Sequence, residues 1–161
     1  MRGIAKAVLI TILTSVCIVF LTNMAFFFPW YLTLITETYG VTQVVAGDNY
    51  LKRSHYEDAM ARLEERPIFR DKASDIEIIV KNEDGYDAIG SDDETSYENA
   101  AEIDKPYRQR GKTLDVEVKA VYPFTITLWG RKLERELPVS FSLTATGLKH
   151  YKDLEYYYDT E

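Results

Sequence analysis

Residues 7–36 read AVLITILTSVCIVFLTNMAFFFPWYLTLIT, a run of 30 positions without a charged side chain. Arg2 and Lys6 precede the run, and Glu37 is the first charged residue after it. As an α-helix the run would be roughly 45 Å long, whereas the hydrocarbon core of a bilayer is about 30 Å thick. A small soluble domain has no room to bury a helix that is apolar on every face. The stretch therefore predicts a membrane span.

A cleaved secretory signal is the alternative to an uncleaved anchor. Signal peptides carry an apolar region of about 7–15 residues, which is much shorter than this run. The tripeptide Asn23-Met24-Ala25 fits the small-x-small cleavage pattern poorly, because it begins with an amide side chain. We therefore expect an uncleaved anchor, with Cys17 as a small apolar residue inside it.

Basic residues near the span set its expected orientation. Arg2 and Lys6 lie directly before it, whereas Lys52 and Arg53 lie about 15 residues past Glu37 among acidic neighbours. The positive-inside rule then places the N-terminus in the cytoplasm. The sequence predicts a single-pass protein of the cell membrane. Residues 1–39 would form the cytoplasmic tip and the transmembrane helix, and residues 40–161 an extracytoplasmic domain.

The run is longer than a bilayer requires, so one end must leave the hydrocarbon. Aromatic side chains favour the membrane interface, and a proline removes one helical hydrogen bond. Both features occur together in the sequence FFFPWY at 26–31. We expect the span proper over about Ile4–Phe27, with interface anchors at Pro29, Trp30 and Tyr31.

Small and hydroxylated residues recur along the predicted span. Such residues let membrane helices approach closely, and an amide in hydrocarbon seeks a partner. One interpretation is a helix–helix contact in the membrane. The other is that the hydroxyls bond back to their own helix and that the amide sits near a membrane edge or a water. The candidate contact residues are Ala7, Thr11, Thr14, Thr22 and Ala25, with Asn23 beside them.

The composition excludes several classes of protein. The 161 residues include 19 basic and 26 acidic side chains, whereas nucleic-acid binders normally have a basic excess. One cysteine excludes an intrachain disulfide, and two histidines leave a histidine-based metal centre short of ligands. No HExxH, GxSxG or phosphate-binding glycine motif occurs. We expect no catalytic residues, no metal and no cofactor.

The outer part predicts an α+β fold. Gly40 interrupts the first helical pattern, and Ser54 to Glu57 match a capping box, so an amphipathic helix is expected over 55–66, before Pro67. We expect a small antiparallel sheet packed on this helix, with a bend or bulge at Pro123 and an edge position for Pro138. Strand periodicity occurs at 76–81, 114–120, 124–128 and 133–145, with a turn at 129–132.

Two segments of the outer part are strongly polar. Residues 83–104 contain nine acidic residues and no basic one, which predicts a solvated loop. Asp92-Asp93-Glu94 could supply oxygen ligands for calcium, although the spacing is not that of an EF-hand. The tyrosines at 156–158, together with Leu154, suit either a contact with a partner or packing back onto the domain.

The order of elements resembles that of pilins and pseudopilins, and more narrowly that of the TadE-like minor pilins, including related proteins of Gram-positive conjugative elements. The resemblance rests on the basic N-terminus with Gly3, the helix ending at Arg66-Pro67, and the strand RGKTLDVEV at 110–118 that continues to Phe124. Prepilins carry an acidic residue five positions after the processed glycine, and here that position is Val8. The resemblance therefore implies a membrane-retained accessory or minor subunit rather than a major pilin.

Two hypotheses for function remain at this point. The first is a non-enzymatic structural subunit of a cell-surface filament, secretion or conjugation apparatus, which would contact other subunits through its membrane helix and its outer domain. The second is a membrane-tethered extracellular module that binds a ligand or a cell-wall component through the hairpin and the tyrosine-rich tail.

Overall fold

The computed structural model describes residues 2–128 and 131–154. The two main helices are α1 (Arg2–Asp48) and α2 (Arg53–Glu65). The strands are β1 (Leu51–Lys52), β2 (Glu77–Asn82), β3 (Ile89–Gly90), β4 (Thr113–Leu128) and β5 (Arg131–Thr146). Short 3-10 helices occupy Arg70–Asp75, Glu94–Tyr97 and Glu102–Asp104. The fold is α+β, as the sequence predicts.

One helix of 47 residues, α1, forms the axis of the molecule. It is long and apolar enough to cross a membrane, and the side chains of its first half are exposed. Pro29 and Gly40 both lie inside it, so the predicted interruption at Gly40 is wrong and the boundary expected between residues 39 and 40 falls within the helix. The apolar face of the second half continues past both residues, which holds the helix together there.

The second half of α1 belongs to the core of the outer domain. Its buried residues Trp30, Leu34, Val41 and Val45 follow one another at steps of four, seven and four, which places them on one helical face. Glu37, Thr38 and Thr42 are buried on or beside the same face, and the side chains on the other faces of this half are exposed or half-buried. Residues 30–45 are therefore an amphipathic stem, whereas residues 7–26 carry no charged side chain on any face.

Three antiparallel strands in the order β2-β4-β5 form the main sheet. Val118 lies opposite Ile78 on one side and Phe141 on the other, and Leu114, Val116 and Val118 are buried. This face packs on α1, and α2 packs beside α1 through Ala59 and Leu63. The expectation that the amphipathic helix covers the sheet is thus wrong, because the stem offers a longer apolar face than the 13-residue α2.

The start of α2 differs from the predicted capping box. The helix begins at Arg53, and its N-cap residue Lys52 makes no side-chain cap. Ser54 is already helical, and its backbone N–H and its hydroxyl each donate to Asp92 at 3.0 Å. A carboxylate that lies 38 residues later in the chain therefore satisfies the free N–H group that a local cap would have taken.

The two prolines of the hairpin leave its ladder intact. Strands β4 and β5 pair without interruption, Pro123 opposite Glu136 and Pro138 opposite Val121. The Gly147 N–H donates to the Lys112 carbonyl at 2.9 Å, and hydrogen-bonded pairs alternate with non-bonded ones. Both prolines therefore fall in non-bonded pairs. Of the bend or bulge predicted at Pro123, the bulge is wrong and the bend stays a prediction. The predicted edge position of Pro138 is confirmed, since β5 is an edge strand.

The acidic segment 83–104 is folded and not simply a solvated loop. Its strand β3 pairs in parallel with β1, Leu51 opposite Ile89. Asp93 accepts a hydrogen bond from the Thr95 N–H, and Glu94 forms an ion pair with Lys52 at 3.2 Å. Of the turn predicted at 129–132, Arg131 and Lys132 belong instead to β5, and Trp129 and Gly130 lie outside the described residues, as do the three tyrosines at 156–158.

The turn after β5 yields a test of the packing at the far end of α1. Asn49 has φ of 59°, its amide donates to the Arg108 and Lys149 carbonyls at 2.8 and 2.6 Å, and a Cβ added to Gly147 would come within 2.7 Å of it. We expect Gly147→Ala to lower the free energy of unfolding by about 1–3 kcal/mol. Gly40→Ala is the matched control, because Gly40 is helical and has open space. It should raise the same free energy by up to about 1 kcal/mol. Thermal unfolding of the full chain in detergent, followed by circular dichroism, measures both.

Candidate functional site

The bare half of α1 is the first candidate interaction surface. It runs from Gly3 to Phe26, and 24 helical residues extend about 36 Å, enough to cross about 30 Å of hydrocarbon. The Thr11 hydroxyl donates to the Ala7 carbonyl at 3.0 Å, and the Thr22 hydroxyl donates to the Ile18 carbonyl at 2.9 Å. The hydroxyls thus bond back to their own helix, which was one of the two interpretations. A helix–helix contact at these residues stays a prediction.

The candidate contact residues divide between two sides of α1. At about 100° per residue, Ala7, Thr11, Thr14, Thr22 and Ala25 cluster on one side, which lies roughly opposite the side that carries Trp30 and Leu34. Asn23 lies on the domain side: its side chain is half-buried, and its carbonyl accepts a hydrogen bond from the Tyr122 hydroxyl at 3.4 Å. Asn23 therefore does not belong to the same face as the threonines.

A cluster of aromatic rings joins the bare half of α1 to the outer domain. Trp30 is 2% exposed, and its ring centroid lies 5.2 Å from that of Phe69 and 5.2 Å from that of Tyr122. Phe27 meets Tyr122 edge to face at 5.1 Å, an arrangement that aromatic pairs prefer. Trp30 thus fastens the hairpin to the helix and does not face lipid, contrary to the predicted anchor. Pro29 is exposed and Tyr31 half-buried, and their role at the membrane interface stays a prediction.

About two turns past Trp30 along α1, Glu37 makes the ion pairs that sequence reasoning missed. Glu37 is 7% exposed and lies on the stem face between Leu34 and Val41. One carboxylate oxygen accepts from Arg66 at 2.8 Å, and the other accepts from Arg62 at 3.4 Å. The two arginines are about half exposed, so the cost of removing the charges from water falls mainly on the carboxylate. The sequence does contain a signal for this site, because Glu37 is a charged residue at a position that falls on the apolar face of the helix.

A network of tyrosines closes the opposite end of the domain. Tyr107 stacks on Tyr151 with 4.0 Å between ring centroids, and the Tyr107 hydroxyl donates to Asp153 at 2.7 Å. Asp153 also pairs with the buried Lys105 at 2.8 Å. Burial raises the pKa of Asp153, but the hydrogen bonds from Lys105 and Tyr107 outweigh that effect and lower the pKa overall. The segment 148–154 is therefore packed back onto the domain, with Leu154 buried.

The acidic triplet is engaged with the protein itself. Asp92 binds Ser54, Asp93 binds Thr95, and Glu94 binds Lys149 at 2.7 Å as well as Lys52. Within residues 2–128 and 131–154, no three His, Cys, Asp or Glu side chains form a group that could hold a metal ion. The hydrogen bonds of these carboxylates instead hold α2, β1 and the chain after β5 together.

Comparisons of this chain with protein-family models, with curated proteins and with solved structures yield no match.

The ion pairs of Glu37 are expected to stabilise the junction between α1 and α2. Arg66→Gln removes the shorter bond to a nearly buried carboxylate, so it should lower the free energy of unfolding by about 1–2 kcal/mol. Arg53→Gln is the control, because the Arg53–Glu57 pair is exposed on both sides and 3.9 Å long. Its effect should stay below about 0.5 kcal/mol. Equal losses in the two variants, measured by denaturant unfolding in detergent, would contradict a structural role for the Glu37 pairs.

The tyrosine network makes stability sensitive to alkaline pH. Burial raises the pKa of Tyr50, Tyr107 and Tyr151 above 10.0, and nearby carboxylates raise it further. Above pH 10.0 the unfolded chain loses protons that the folded chain keeps, so the free energy of unfolding should fall as the pH rises from there. Tyr50→Phe removes one such group and should make this fall less steep. An unchanged slope in Tyr50→Phe, measured by denaturant unfolding across this pH range, would contradict the prediction.

Proposed function

We propose that this chain is a single-pass, non-enzymatic subunit of a cell-surface assembly, similar in plan to a minor pilin and serving a filament, secretion or conjugation apparatus. The observation that carries the proposal is that the two halves of α1 have different roles. Its first half is a bare apolar helix of membrane-spanning length, and its second half is the central helix of the folded domain.

This construction suits a structural part better than a tethered receptor. A receptor domain needs only a flexible linker to its anchor, which lets the two move independently. Here no linker separates them, because α1 is continuous from Arg2 to Asp48. The aromatic cluster around Trp30 and the Glu37 ion pairs then fix the sheet and α2 on the same helix. The position of the outer domain is coupled to the rotation and tilt of the span, as an ordered assembly requires.

The partner contact in the membrane would lie on the side of α1 opposite the outer domain. That side carries Ala7, Thr11, Thr14, Thr22 and Ala25, and the hydroxyls of Thr11 and Thr22 are satisfied by their own helix. A contact there would consist mainly of close packing of small side chains, because those two threonines have already used their hydroxyl donors. The expected orientation, with the N-terminus in the cytoplasm, follows from Arg2 and Lys6.

One of the arguments for the alternative function, a tethered binding module, is weakened. Carboxylates of the acidic segment bind Ser54, Lys52 and Lys149 of the same domain. The Leu154 side chain is buried within that domain. Truncation before residue 40 is a poor test between the two functions, since it would delete Trp30, Leu34 and Glu37 from the packed domain. The full chain is needed.

Photocrosslinking of the full chain in its native membrane tests the proposal. A photoreactive residue at Thr14 should give adducts with other single-pass subunits or with a second copy, and Thr11→Leu plus Thr22→Leu should reduce their yield several-fold by filling the close-packed face. The same probe at Val16, on another side of the helix, is the control. A strict monomer with no adduct specific to residue 14 would contradict the proposal. Adducts that form only from the outer domain would favour the binding module.

A further inference from the structure

The far end of the β4–β5 hairpin carries an apolar face that the described chain covers only in part: Phe124 is half-buried against the core, whereas the leucines of β5 are exposed. We define the hairpin arm as residues 123–128 and 131–137. Side chains on the core side of the sheet continue into it as Phe124, Ile126, Leu133 and Leu137, since Ile126 lies opposite Leu133 and Tyr122 opposite Leu137. Leu133 is 59% exposed and Leu137 is 38% exposed.

The arm extends toward the bare half of α1. At one end of the hairpin, the Leu148 N–H donates to the Ala46 carbonyl at 2.9 Å. Nearer the arm, the Tyr122 hydroxyl donates to the Asn23 carbonyl, more than 20 residues back along the helix. From Tyr122 to Leu128, β4 advances six residues, or about 20 Å, in the same direction. The arm therefore begins at the level of Asn23, inside the bare half of α1, and extends about 20 Å further.

The arm also diverges from α1. If it followed the helix, its core-side leucines would be covered by α1, yet Leu133 is exposed, and so are Leu13 and Val16 on the bare helix. When a sheet tilts away from a helix that it faces, its inner face turns toward the open end of the wedge between them. Here the open end points toward the N-terminal half of α1, which is the side on which the membrane lies.

The chemistry of the two faces agrees with this geometry. Arg131 and Arg135 share the inner face with the leucines, opposite Leu128 and Phe124, and neither has an ion-pair partner among the residues that the structure describes. Guanidinium groups bind phosphate through paired N–H donors. The outer face carries the Glu136 carboxylate, paired with Lys72, and Glu134, paired with Lys132.

We propose that the hairpin arm rests its inner face on the outer leaflet of the membrane, with Leu133, Leu137 and the exposed part of Ile126 at the acyl boundary and Arg131 and Arg135 at lipid phosphates. Interfacial elements combine an apolar face with basic residues in this way. The inference rests on the proposed membrane anchoring by α1 but adds a second contact with the membrane. That contact fixes the tilt and rotation of the outer domain relative to the bilayer.

Fluorescence quenching with the full chain in phosphatidylcholine nanodiscs tests the arm. In a Cys17→Ala background, an environment-sensitive label is placed at Leu133→Cys and, as the matched control, at Glu134→Cys on the outer face. Nitroxide lipids labelled near the headgroup should quench the label at 133 several-fold more than the label at 134. Aqueous iodide should show the reverse order. Equal iodide quenching at both positions, without lipid quenching, would overturn the proposal.

Two further measurements show whether a negative result concerns the membrane anchoring, the arm or a second copy of the chain. A label at Val16→Cys, with nitroxides at the bilayer centre, reports on the span: failure there sinks the anchoring itself, whereas success there with failure at 133 sinks only the arm. Discs that hold one copy are compared with discs that hold two. Shielding of residue 133 that appears only with two copies would show that a second chain covers the face and would overturn the proposal. Arg131→Gln plus Arg135→Gln should weaken lipid quenching at 133, and Lys132→Gln should leave it unchanged.

Discussion

One helix carries two different patterns of apolar side chains, and the rest of the molecule is arranged around that change. A segment in hydrocarbon must be apolar on every side, whereas a segment that carries a water-exposed domain must be apolar on one side only. Helix α1 changes from the first pattern to the second between Phe26 and Trp30. Because the backbone hydrogen bonds continue through this change, the span and the domain share one rigid axis.

The junction is where this coupling has to be stabilised. A single helix can bend or fray at the point where its environment changes, particularly beside a proline. Three contacts oppose that here: the rings around Trp30, the hydrogen bond from Tyr122 to the Asn23 backbone, and the pairing of Glu37 with two arginines of the α2 region. They come from β4, from the chain before β2 and from α2. The helix is therefore stabilised from several sides between Asn23 and Glu37, over about four turns.

The sheet, like α1, has one part that is packed within the domain and another part that is more exposed. Residues 114–122 of β4 alternate inward and outward, and the inward residues are buried against α1. The alternation continues through Phe124 and Ile126, which are half-buried, and β5 mirrors it with Leu137 and Leu133, which are exposed. An apolar face that extends beyond the surface that packs on it is costly to expose to water. That cost is the physical reason for assigning the face to the lipid surface.

Local periodicity determined much of this protein. The uninterrupted apolar run specified the span, period-two alternation specified the hairpin, and Arg66-Pro67 ended α2, because each depends on residues that are close in sequence. Tertiary structure alone decided that the stem covers the sheet, that Asp92 caps α2, that Glu37 meets Arg62 and Arg66, and that Asn23 turns toward the domain. Each of these depends on which distant groups meet once the hydrophobic faces have packed. A buried polar group takes whichever partner the fold brings near it, so its partner cannot be read from its own neighbours in the chain.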